Sequence, residues 1–100
     1  QGKALSPTGL DWLAKAFESN YPDDLVLPCM YPTADGGIQA EWTVAKIEIS
    51  LNINLVDYKG VWHSLDMATQ DVLSKDLNLA NAGDWKWVSE SIRRSGGGMT

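Results

Sequence analysis

Two side chains here could open a reaction, Cys29 and His63, and the chain has one of each type. A cysteine nucleophile needs a nearby cation or a helix N-terminus to favour its thiolate. Leu27-Pro28-Cys29-Met30 offers neither, so Cys29 reads as a buried free thiol. His63 shares its parity with Val61, Leu65 and Met67, which places it on an apolar face as a hydrogen-bonded, partly buried ring. A Cys29/His63 dyad would require the fold to bring together two residues far apart in sequence. Carboxylates recur at Asp23-Asp24, Asp35, Glu41, Glu48, Asp57, Asp66, Asp71, Asp76 and Asp84, but their spacing converges on no metal or glycosidase site. Asp35-Gly36-Gly37 lacks the alternating acids and closing glutamate of a calcium loop, and is a turn. Phosphate-loop, zinc-binding, CxxC and GxSxG patterns are absent. The sequence therefore assigns no catalytic residue, metal ligand or cofactor.

Tryptophan is the compositional anomaly, with five in 100 residues. Trp42 and Trp85 fall in phase with apolar faces and belong in a core. Trp62 runs against the phase of Val61, His63 and Leu65, and Trp87 lies off the Trp85-Val88-Ile92 axis. Trp62 and Trp87 are thus expected to be partly exposed, as aromatic anchors for a partner.

The elements that must position these residues follow from periodicity. Ser6-Pro7 caps a helix over residues 7–19, with Leu10, Leu13, Ala14 and Phe17 on one face and Pro22 beyond its end. Residues 25–31 are apolar and extended, and Pro28 makes them an edge strand or an irregular segment. Ala34-Asp35-Gly36-Gly37 permits positive φ twice and leads into strands 38–44 and 47–55. Their apolar positions pair without exception if the turn centres on Ala45-Lys46, with Val44 opposite Ile47 and Ile38 opposite Ile53. Gln39, Glu41 and Thr43 then share the opposite, polar face with Glu48, Ser50 and Asn52. A further strand is expected near 61–67 and a short one near 77–79, while residues 68–76 fit a helical turn or a strand equally. Asn81 three residues ahead of Asp84 resembles a capping box and starts a helix over 82–94. The expectation is a single α+β domain over residues 1–100. It comprises an N-terminal helix, an antiparallel meander of about four strands and a C-terminal helix, with both helices on one sheet face. Gln1-Gly2 matches the end of a common tag-cleavage site, and residues 1–5 and 95–100 read as flexible.

Bulk properties narrow the function classes. A net charge of -5 with eight Lys and Arg opposes binding to nucleic acid or an anionic membrane. One cysteine excludes an internal disulfide and suits a cytoplasmic location.

The segment Pro32-Thr33-Ala34-Asp35-Gly36-Gly37-Ile38-Gln39-Ala40-Glu41-Trp42, with Ile47-Glu48-Ile49 after it and Leu27-Pro28 before it, resembles a signature of small uncharacterised bacterial α+β proteins. They carry a P-T-x-x-G-G-I/V-Q-x-E-W segment, an acidic following strand and a closing tryptophan-rich helix. The resemblance covers about a fifth of the chain and implies a bacterial, cytoplasmic protein without transferring any functional residue. Leu51-Asn52-Ile53-Asn54 departs from it in being less acidic. The reading reached is a non-enzymatic bacterial protein-interaction module, one component of a two-protein, toxin–antitoxin-like system or a homodimer, with Gln39, Glu41, Trp62 and Trp87 as partner-binding residues. The alternative is a small-ligand or enzymatic domain with a pocket near Cys29 and His63.

Overall fold

The structure, a computed structural model, describes residues 4–96; most of the two ends expected to be flexible lie outside them. Helix α1 (Pro7–Asn20) is followed by strands β1 (Cys29–Pro32), β2 (Ile38–Val44), β3 (Ile47–Ile53), β4 (Lys59–Asp66) and β5 (Val72–Asn78), and helix α2 (Ala82–Arg94) closes the chain. The five strands form one antiparallel sheet in sequence order. This is the expected α+β class, with five strands rather than four.

Local chemistry sets each boundary. Ser6 Oγ accepts from the Gly9 N–H at 3.1 Å, Pro7 fills the first turn, and the Tyr21 N–H closes α1 on the Phe17 carbonyl at 2.8 Å. Gly9 is required by proximity, because a Cβ there would lie 2.5 Å from the Leu55 carbonyl oxygen. The β2–β3 register has Val44 opposite Ile47, Trp42 opposite Ile49, Ala40 opposite Leu51 and Ile38 opposite Ile53, as the apolar pairing demanded. Before β2, Gly36 alone takes positive φ, at 86°; Gly37 is needed for a different reason, since a Cβ on it would meet the Ile53 carbonyl at 2.6 Å. Asn54 Oδ1 binds the N–H groups of Val56 and Asp57 in the β3–β4 turn. Asp66 Oδ1 binds those of Ala68 and Thr69, which reverses the chain into β5 and resolves the ambiguity of residues 68–76. At α2, Asn81 Oδ1 accepts from the Gly83 N–H, whereas the Asp84 carboxylate reaches the Asn78 N–H instead of closing a capping box on Asn81.

Ile38, Ala40, Trp42, Ile49, Leu51 and Trp62 of the sheet are buried in one cluster with Leu13 of α1 and Trp85, Val88 and Ile92 of α2. Aromatic rings run through it without interruption. Trp85 meets Phe17 edge-on at 6.2 Å, Phe17 stacks on Tyr21 at 4.4 Å, and Tyr21 neighbours Trp42 at 6.4 Å. Trp42 neighbours Trp62 at 6.2 Å, and Trp62 meets Trp87 edge-on at 5.1 Å, so the series leaves α2 and returns to it. Trp12 stacks on Tyr58 at 4.0 Å. All five tryptophans are thus engaged in ring packing within the fold.

Candidate functional site

Ladder registers define the face opposite the buried cluster. One row crosses all five strands: Cys29, Glu41, Ser50, His63 and Ser74. Parallel to it run Tyr31, Gln39, Asn52, Val61 and Asp76, and on the other side Thr43, Glu48, Leu65 and Val72. Every one of these residues is exposed or half-exposed. Glu41, Thr43, Glu48, Ser50, His63 and Leu65 line a depression of about 530 Å³ on this face.

β4 presents the opposite parity from the one its sequence suggests. Trp62 is buried at 2% exposure, with Gly60, on the core side, while Val61 and His63 are exposed and Leu65 half-exposed. The β3–β4 register decides this by placing Trp62 opposite Leu51, and Gly60 leaves room for Leu79 and Leu51, whose methyls lie 2.9 and 3.1 Å from where its Cβ would stand. Burying one indole outweighs burying Val61 and half of Leu65, because apolar area sets the gain. The exposure expected for Trp62 is therefore corrected. Its indole N–H has no hydrogen-bond partner among the described residues.

The four residues singled out from sequence do not share one surface. Gln39 and Glu41 stand together on the open face, where the Gln39 amide donates to the Glu41 carboxylate at 2.5 Å. Trp62 lies beneath the other face. Trp87 is half-buried on α2 against Trp62, with the Lys75 ammonium 5.3 Å above its ring. What sequence reasoning missed is the apolar part of the open face, Val61, Leu65 and Val72, together with Ser74; the cue that could have found it is the Asn54 turn, whose length fixes the β4 phase.

Cys29 and His63 occupy the same row, but β2 and β3 stand between their strands, about 14 Å at ordinary strand spacing. They cannot form a dyad. Cys29 is exposed rather than buried, because β1 lies at the sheet edge with all four residues accessible. On that edge Cys29 raises the Tyr31 phenol pKa by electrostatic repulsion and a hydrogen bond, with a smaller contribution from Glu41. His63 also departs from its expected burial: it faces solvent, and its Nδ1 lies 3.0 Å from Ser74 Oγ. No carboxylate orients the ring from its other side among the described residues, so the pair lacks the third group that activates a serine. The described residues contain no cluster of three potential metal ligands and no helix long and apolar enough to cross a membrane.

No protein-family model, curated protein or solved structure matches this chain. The open face must be interpreted on its own geometry. It sets the accessible apolar side chains Val61, Leu65 and Val72 beside the polar Glu41, Glu48, Ser50 and His63.

Proposed function

We propose that this protein is a non-enzymatic interaction module that binds a protein partner through the open face of its sheet. The observation carrying this reading is that Val61, Leu65 and Val72 lie accessible between Glu41, Glu48 and Asp76 on the open face of the sheet. Lys59 is the only lysine or arginine among the strand residues of that face, so its charge is acidic. A partner with basic groups around an apolar centre complements it. One half of a two-protein, toxin–antitoxin-like pair working in the reducing cytoplasm fits this description, and there the exposed Cys29 stays a free thiol.

The test mixes the chain with the product of its neighbouring gene and follows complex formation by size-exclusion chromatography with light scattering. Val61→Arg and Glu48→Lys, both at exposed positions, are expected to weaken the complex about tenfold each by placing cations against a basic partner. Lys86→Ala, on the exposed side of α2, should leave affinity unchanged. A complex indifferent to both open-face substitutions would sink the proposal. A chain that takes no protein but shows ligand-induced shifts around His63 would transfer the site to the depression.

A further inference from the structure

β5 ends the sheet, and its outer side is prepared for another strand. The Leu79 N–H bonds the Tyr58 carbonyl at 2.8 Å and the Asp66 N–H bonds the Asp71 carbonyl at 2.9 Å. Both bonds keep the β4–β5 register, in which Gly60 pairs with Leu77 and Trp62 with Lys75. Hydrogen-bonded pairs alternate along an antiparallel ladder, so Leu73, Lys75 and Leu77 direct their backbone groups to β4. Val72, Ser74, Asp76 and Asn78 direct theirs outward. Asn78 is already used, its N–H by the Asp84 carboxylate at 2.6 Å and its carbonyl by the Asn81 N–H at 3.0 Å. The N–H and C=O groups of Val72, Ser74 and Asp76 have no partner among the described residues.

This edge carries little protection against pairing. The opposite edge, β1, is four residues long and ends on Pro32, with Pro28 just before it. β5 is seven residues long and contains no proline, and its lysine is held over the Trp87 ring. Val72 and Leu73 stand 65% and 50% exposed at its start.

We propose that two copies of the chain pair β5 against β5, antiparallel, about a two-fold axis through Ser74, forming one continuous ten-stranded sheet. The outward groups are symmetric about Ser74, and this two-fold register is the one that engages all of them: Ser74 opposes its own copy and Val72 opposes the partner's Asp76. Leu73 then faces the partner's Lys75 on the side of the sheet that bears the buried cluster. Centring the axis on Lys75 instead would set two ammonium groups face to face and direct Val72 to Asn78, whose backbone is occupied. Residues opposite one another lie on the same side of a sheet, so the two open faces join into one surface. The short, proline-bounded β1 edges stop the assembly at a closed dimer. This pairing is independent of what the open face binds.

Light scattering on the full chain, from micromolar to millimolar protein, is expected to show a species of twice the 11.0 kDa chain mass. Val72→Asp places an acid opposite the partner's Asp76 at both ends of the ladder and should weaken the dimer about tenfold. Adding Asp76→Lys to Val72→Asp makes both pairs opposite in charge and should restore it. Both positions are exposed, and circular dichroism confirms that each variant stays folded. As a second measure, Ser74→Cys in a Cys29→Ser chain should oxidise to a cross-linked dimer, since hydrogen-bonded opposite residues stand about 5.5 Å apart. A chain that is monomeric at millimolar concentration overturns the proposal. So does a dimer that ignores Val72→Asp, one that Asp76→Lys fails to restore, or the absence of the Ser74→Cys cross-link.

Discussion

The Tyr21 hydroxyl ties three parts of the chain together. It accepts from the Trp42 indole N–H at 3.0 Å and donates to the Val26 carbonyl, so the end of α1 is linked to the middle of β2 and to the loop before β1. Tyr21→Phe keeps the ring and strands the buried Trp42 indole donor and the half-buried Val26 carbonyl acceptor. A stability loss of about 1–3 kcal/mol is expected in urea unfolding at neutral pH. Burial holds the Tyr21 phenol pKa above its ordinary 10.0, against the opposing effect of the Trp42 hydrogen bond. The folded state then binds the phenolic proton more tightly than the unfolded chain does. This contribution is complete below pH 10 and is lost as pH rises through the folded value. Urea midpoints of the wild type should therefore fall at strongly alkaline pH by more than those of Tyr21→Phe; equal falls would remove Tyr21 as the cause.

Turns decide which way each strand faces. The two-residue turn between β2 and β3 forces Ala45 to φ 54°, a left-handed conformation that costs an L-residue free energy and glycine little. Ala45→Gly is expected to raise stability by about 0.5–1 kcal/mol, read as an upward shift in melting temperature, because relief of strain exceeds the added freedom of the unfolded chain. The hairpin was legible in the sequence because both of its strands alternate cleanly and bury one face. β5 was not: of its seven residues only Leu77 is buried, so an exposed edge left no period to read. β4 misled for the converse reason. Its apolar residues occupy both parities, and the register with β3 selects the parity that buries Trp62.

At the scale of the whole molecule, an ion pair among the described residues joins distant parts of the sequence. Arg93 Nη1 and Nη2 reach the two Asp24 carboxylate oxygens at 2.5 and 3.2 Å, linking the last turn of α2 to the loop after α1. The Arg93 hydrogen bond lowers the Asp24 pKa below its ordinary 3.8. A depressed carboxylate stabilises the fold above its unfolded value and loses that contribution as pH falls through the folded one. Arg93→Met should accordingly lower stability slightly at neutral pH, where the exposed pair is screened, and leave it unchanged at the acid extreme, so that the fall in melting temperature below about pH 4 becomes shallower; an unchanged acid limb in thermal melts would rule the pair out as a determinant. By itself the sequence determined both helices, the β2–β3 register and the absence of a motif for catalysis, because caps, prolines and clean alternation act over a few neighbouring residues. Tertiary structure alone decided that Trp62 lies inside and His63 outside, that Cys29 and His63 are three strands apart, and that Val61, Leu65 and Val72 share a face with Glu41. Those facts depend on which strands pair and in what register, and on the larger gain from enclosing an indole than from enclosing the smaller side chains beside it.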